Sequence, residues 1–309
     1  MYNRPNEIGE LLESLCKQTF SDPFEIIIVE DGSTQKSDVI VESYRTKLNV
    51  QYLFKENSGA GASRNFGMQR ATGNYFLILD SDVLVPSRYL SEVKNALELN
   101  YTDAFGGPDA AHQSFTDLQK AINYSMTSLL TTGGIRGKKK GVGRFQPRSF
   151  NFGISQAAFE KTNGFSDLKA GEDIDLTFRL WEHGFETQLI EKAFVYHKRR
   201  STLKQFFKQT FAFGLARPQL NKRYPGTAKV TYWFPSLFII GFDISIIATL
   251  FCYWQLLAFY GVYFVLLFLD SLLQNKSTYV AFLSMITSVT QFLGYGLGFL
   301  ESRFFNKKN

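Results

Sequence analysis

Short apolar runs separated by polar turns fill the first two hundred residues, after which the chain becomes almost wholly apolar. The runs at 25–29, 50–54 and Tyr75–Leu79 have the length and continuity of strands buried on both faces. Between them the spacing turns helical: Ile8, Leu11, Leu12 and Leu15 predict a helix over 6–19, and others are predicted after 34 and up to Gly73. Further helices are predicted over 87–99, 115–130 and 171–184, with strands over 104–107, 150–155 and 186–196. Alternating units of this size predict an α/β fold, a mostly parallel, doubly wound sheet flanked by helices.

From Phe234 to Leu300 only Asp243, Asp270 and Lys276 interrupt the apolar block. It offers membrane-spanning candidates at 234–253, 256–273 and 279–300, while Asp243 and Asp270 leave open whether two or three cross. The expected organisation is a catalytic domain over 1–197, a basic linker over 198–230, transmembrane helices over 231–301 and a basic tail over 302–309. The stretch 201–219 sets Leu203, Phe206, Phe207, Phe211 and Phe213 against Lys204, Lys208 and Arg217, as a helix lying in the headgroup plane or packed on the domain would.

Charge narrows the class. The 309-residue chain carries a net +6. Nine of its basic residues, from Lys198 to Lys229, stand directly before the apolar block with no acid among them. That position favours anionic lipid and the positive-inside rule over nucleic acid. Cys16 and Cys252 make no disulfide framework, consistent with a reducing cytoplasm. The expected location is the inner membrane, multi-pass, with the catalytic domain on the cytoplasmic side.

The chemistry collects at segment ends. Asp80 and Asp82 follow the 75–79 strand, where α/β sheets bind ligands, and paired carboxylates there suit a divalent metal held against a diphosphate. Alone they would also suit a turn before Pro86. Residues 59–67 form a small-residue loop without the Walker lysine, and Glu172, Asp173 and Asp175 open a helix whose macrodipole alone would favour acids. The segment 131–148, rich in glycine and in Arg136, Lys138, Lys139, Lys140, Arg144 and Arg148, reads as a surface loop, either an idle linker or a lid attracting phosphate.

Taken together, V-E-D-G-S-T at 29–34, N-S-G-A-G-A-S-R-N-F-G at 57–67, L-D-S-D at 79–82, N-x-G-F at 163–165 and G-E-D-I-D-L-x-x-R-L at 171–180 resemble family 2 glycosyltransferases in order and spacing. The resemblance covers about two thirds of the chain and implies a GT-A fold. It implies that Tyr2 packs on the nucleotide base, Asp31 hydrogen-bonds it, and Arg64 also reaches the nucleotide. Asp80 would contact the sugar or ribose, Asp82 would ligate Mg2+ or Mn2+, and His197 would stand near the metal. Asp173 matches the catalytic base, with Glu172 as the runner-up or an acceptor-binding acid. One base suffices for an inverting displacement.

Two features depart from the family. The family's central strand precedes the tyrosine loop, whereas Met1 already lies inside it, so the sheet is expected to lack an inner strand, through a late start or a fragment. Glu30 stands where aspartate is commoner. The expected activity is transfer from a nucleotide sugar, a UDP-sugar favoured, to a membrane-proximal or lipid-linked glycan for cell-surface polysaccharide. The alternatives are a polyprenyl-phosphate glycosyltransferase and an inactive sugar-nucleotide-binding membrane protein.

Overall fold

The computed structural model describes residues 1–133 and 144–305. The chain divides into two compact units, Met1–His112 with Ile135–Lys198, and Gln113–Gly134 with Arg199–Asn309. The segment 134–143, on which most of the basic loop falls, and the tail residues Lys307 and Lys308 lie outside the described residues.

The first unit runs α1 (Pro5–Cys16), β1 (Ile26–Asp31), α2 (Asp38–Glu42), β2 (Val50–Lys55), α3 (Ala60–Met68), β3 (Tyr75–Leu79), β4 (Val83–Leu84), α4 (Tyr89–Leu99), β5 (Ala104–Gly106) and β6 (Asp109–Ala110). The helices α5 (Asp117–Thr127) and α6 (Leu129–Thr132) follow in sequence but belong to the second unit. The chain then returns as β7 (Asn151–Ser155), α7 (Gln156–Thr162), α8 (Glu172–Glu182), β8 (Thr187–Leu189) and β9 (Val195–His197).

Apolar positions of α1 become core: Ile8, Leu11, Leu12 and Leu15 are buried with Ile28, Val83, Val85, Tyr89 and Phe105. Burying each such side chain stabilises by roughly 1.5–3 kcal/mol. A second core forms from Phe76, Ile78, Phe152, Ile154, Phe159, Phe165, Leu176 and Leu180.

The strands pair in three sheets, β1-β2, β3-β7-β5-β8 and β4-β9-β6. The pairing is mixed rather than mostly parallel. β1-β2, β5-β8 and β6-β9 are parallel, but β7 runs antiparallel to both β3 and β5, and β4 antiparallel to β9. A parallel pair needs a crossover between strands that become neighbours. β7 instead enters between β3 and β5 after an excursion through α5 and α6. Its five residues are all buried, and Gly153 is required there, because a Cβ would meet the Phe105 ring at 2.0 Å. Met1 pairs with β1 by its backbone: its amino group donates to the Val29 carbonyl at 2.6 Å, and Asp31 N donates to the Met1 carbonyl at 2.8 Å.

The second unit packs α5 and α6 with α9 (Leu203–Arg223), α10 (Phe234–Thr249), α11 (Gln255–Asn275) and α12 (Thr278–Leu300). The helix expected over 115–130 is broken at Ser128, whose extended backbone ends α5 and whose Oγ caps α6 by accepting Leu130 N at 3.2 Å. Among the described residues three segments, Val230–Thr249, Gln255–Asn275 and Thr278–Phe305, are long and apolar enough to cross a membrane. α10 and α11 present Leu237, Ile240, Ile244, Ile247, Phe259 and Val262 outward. One side of α12 is buried, and α9 lies against it through small residues: a Cβ on Gly294 would meet Thr210 Oγ1 at 2.0 Å, and one on Gly298 would meet the Phe211 carbonyl at 2.2 Å. Backbones approach this closely only where side chains are missing. Asp270 of α11 is not bare: it accepts from Tyr124 Oη at 2.6 Å, Ser128 Oγ at 3.1 Å and Gln274 at 3.0 Å.

Candidate active site

The end of β3 is pinned on both sides. Asp80 N donates to the Phe150 carbonyl at 3.3 Å, and Lys198 N donates to the Asp82 carbonyl at 2.9 Å. Val83 of β4 stands opposite His197 of β9, and Asp109 of β6 opposite Val195. The backbone thus delivers the acids after β3 and the histidine ending β9 to one place. His197 Nε2 lies 3.3 Å from Asp82 Oδ1, its Nδ1 lies 3.8 Å from Asp109 Oδ2, and its ring stacks on Phe150 with centroids 4.8 Å apart.

Asp80, Asp82 and His197 each offer a ligand atom, all within 4.8 Å of one another. Ligands about 2.0–2.3 Å from one ion fit within such a span, and two carboxylates with an imidazole suit Mg2+ or, better, Mn2+. Cations face both acids: Arg4 Nη1 donates to Asp82 Oδ2 at 2.7 Å, and Arg64 Nη2 to Asp80 Oδ1 at 2.8 Å.

Arg64 comes from α3 and its other arm donates to Glu172 Oε1 at 2.9 Å. Its guanidinium lies over the Phe165 ring, 5.1 Å from the centroid. The neighbouring Asn65 fixes that ring's segment by a reciprocal pair, Nδ2 donating to the Phe165 carbonyl and Oδ1 accepting Phe165 N, both at 2.8 Å.

The three acids opening α8 separate by task. Asp175 is fully buried and bonds Arg179 at 2.9 Å, and that arginine in turn holds the Thr162 and Gly164 carbonyls. Glu172 is joined to the cluster through Arg64, and Asp173 is its neighbour on α8. Burial raises the Glu172 carboxyl above its ordinary range and the Asp173 charge adds to this, while Arg64 opposes both. Asp173 Oδ1 accepts Ile174 N at 2.8 Å, Oδ2 accepts Ser149 N at 3.3 Å, and Arg148 Nη1 lies 4.0 Å away. The segment 148–150 therefore connects Asp173, through Ser149 N, with Asp80 and His197, through the Phe150 carbonyl and ring.

Asp31 has different partners. Its carboxylate accepts from Lys55 Nζ at 2.5 Å and from Ser58 N and Gly59 N at 2.9 Å each, and Asn57 Nδ2 donates to its carbonyl at 2.8 Å. It organises the small-residue loop at the mouth of α3. Glu30 is fully buried and holds Ser33 and Ser37 N, which leaves Asp31 undisturbed. Tyr2 is exposed, and next to it Asn3 ties the first loop to the one after β1, accepting Thr34 N and Gln35 N at 2.9 Å.

Sequence reasoning missed Arg4, Lys55, Asn65, Asp109, Ser149 and Phe150. Lys55 had a signal, since it ends β2 as Asp31 ends β1 and the two are register partners. Asn65 and Arg4 sat unread beside singled-out residues, Arg64 and Tyr2. Arg148 was legible as part of the basic loop, but nothing marked Asp109, Ser149 or Phe150, whose neighbours the strand pairing sets.

The α/β unit has the GT-A fold. A mannosyltransferase from Pyrobaculum calidifontis, solved with GDP-Man and Mn2+, shares the fold with a TM-score of 0.62 at 14% identity, covering 99% of this chain and 86% of that one. The family described as Glycosyl transferase family 2 matches residues 1–163, and the chain belongs to it. Among relatives, the poly(ribitol-phosphate) β-N-acetylglucosaminyltransferase TarS of Staphylococcus aureus is 37% identical over 105 residues, 33% of this chain and 18% of the relative. Chondroitin synthase of Escherichia coli is 26% identical over 234 residues, 64% of this chain and 33% of the relative. The chain thus matches a third or less of the length of these relatives.

Proposed function

We propose that this glycosyltransferase moves a sugar, with inversion, from a nucleoside-diphosphate sugar to a hydroxyl of a membrane-proximal or lipid-linked glycan, and that it does so with a divalent metal at the cytoplasmic face of a membrane. The observation that carries the reading is the meeting of Asp80, Asp82 and His197 within 4.8 Å, with Arg64 joining Asp80 to Glu172.

In this reading Asp82 and His197 hold Mg2+ or Mn2+ and Asp80 borders the sugar or ribose. The bound metal would neutralise charge on the departing diphosphate. Arg64 and the loop ordered by Asp31 receive the nucleotide, with Tyr2 against its base. Asp31, at the mouth of that loop, is the acid assigned to the imide N–H of the base. Asp173 takes the acceptor proton as the hydroxyl oxygen attacks. Glu172, tied to Arg64, suits positioning better than base catalysis. UDP-sugar is the favoured donor, in line with the TarS structure that holds UDP-GlcNAc. The apolar helices of the second unit support a membrane-borne acceptor.

Replacing Asp173 with asparagine is expected to lower transfer by at least about 100-fold while UDP binding, read by calorimetry, changes little. Full activity in D173N would sink the assignment. A second reading, a polyprenyl phosphate acceptor, draws on Arg148 beside Asp173, a guanidinium suited to phosphate. Such an acceptor needs no strong base, so transfer to polyprenyl phosphate that survives in D173N would select it.

A further inference from the structure

We propose that Arg4 is an exchangeable cation at the metal site, neutralising Asp82 before metal arrives and turning to the donor diphosphate once metal is bound. The inference rests on the reading of Asp82 as a metal ligand.

Both oxygens of Asp82 face nitrogen: Oδ1 faces His197 Nε2 at 3.3 Å, and Oδ2 accepts Arg4 Nη1 at 2.7 Å. A divalent ion drawing on Asp82 meets that guanidinium at the same carboxylate, and like charges at contact distance repel. The guanidinium on Oδ2 and an ion on Oδ1 would compete for one negative charge.

The two arginines at the site are not equally able to move. Arg64 is fastened by Asp80 and Glu172 and by the ring of Phe165, with 14% of its side chain exposed. Arg4 has Glu7 as its other carboxylate neighbour, at 3.9 Å, and 31% of its side chain is exposed. Its backbone stays put. Asn3 N donates to Ser33 Oγ at 2.7 Å, and Pro5 opens α1 immediately after it. The movement is therefore a side-chain rotation about a fixed anchor.

Where the guanidinium goes follows from its surroundings. It stands two residues from Tyr2, between the loop assigned to the nucleotide and the acid assigned to the metal. A donor diphosphate held between that loop and Asp82 would bring phosphate oxygens to the guanidinium, whose fork matches them. The salt bridge with Asp82 thus holds the phosphate-binding arm beside its target.

The test is R4Q in the full-length protein, with R4K alongside, titrated calorimetrically with Mn2+ alone and then with UDP at saturating Mn2+. Removing the competing cation is expected to tighten Mn2+ binding about fivefold, the scale of a partly exposed ion pair. Removing the phosphate arm is expected to weaken UDP binding about tenfold. R4K, a point charge without the fork, should fall between. The melting temperature should barely move, since the Arg4 side chain makes no capping bond to α1. Mn2+ affinity in R4Q equal to or below that of the wild type, or unchanged UDP affinity, overturns the exchange alone. A wild-type protein that takes up no Mn2+ overturns the metal reading of Asp82 and the exchange with it.

Discussion

A single guanidinium, Arg64, joins an acid that follows β3 to an acid that opens α8, residues far apart in sequence. Asp31 does comparable work at the other end of the cleft, where Lys55 and two backbone amides hold the loop that leads into α3. Burial alone would raise the Asp31 carboxyl, but the bonds from Lys55, Ser58 and Ser63 bring it below its ordinary 3.8. A carboxyl depressed in the folded state contributes stability that is complete above the unfolded value and lost as pH falls through the lower folded one. D31N is therefore expected to lower stability by about 2 kcal/mol at neutral pH, since it removes the carboxylate that Lys55 pairs with. The gap from wild type should close on acidification below about pH 3.8, as thermal melts across pH 2–7 would read. An unchanged gap at low pH would remove Asp31 from this role.

Among elements, the sequence revealed those whose pattern is local. α1, β1, β2 and β3 lie within a few residues of their expected bounds, because burial on one face or both imposes a period that the chain itself carries. β7 was legible as a strand but not as an antiparallel one, since direction depends on the route back into the sheet. α5 was legible as a helix, yet its buried Ala121, Ile122 and Met126 do not say which unit they face, and they pack with the C-terminal helices. The contact of α9 with α12 was hidden because glycine reads as a breaker in a sequence and as an approach in a packed pair. Its test is G298L, where a side chain would enter the space of the Phe211 carbonyl. Overpacking there is expected to cost about 1–3 kcal/mol or more, seen as a lower melting temperature in detergent. G261L on α11, where a Cβ has nothing within 4 Å, should be near neutral.

At the level of the molecule, the composition break near residue 230 marks where the apolar helices begin, but the packing unit containing them begins at Arg199 and recruits Gln113–Gly134. Composition registers what is apolar, not what is joined. The candidate site was readable to a similar degree. Its acids stood out as end-of-strand and start-of-helix residues, whereas the groups that hold them in place, Asn65, Phe150 and Asp109, carry no signal without the fold. With three segments of spanning length, the full chain is expected to stay with the membrane pellet through an alkaline carbonate wash. Release into the supernatant would count against integral insertion.

The pairing of Val83 with His197 has a consequence for how this protein tolerates change. Main-chain pairing brings the histidine to Asp82, so its place in the cluster depends on β9 returning in phase. A slip of one residue is a different matter, because neighbouring side chains on a strand point to opposite faces. It would swing the imidazole out of the cluster and set Tyr196 or Lys198 in its stead, silencing the site with every catalytic residue still present.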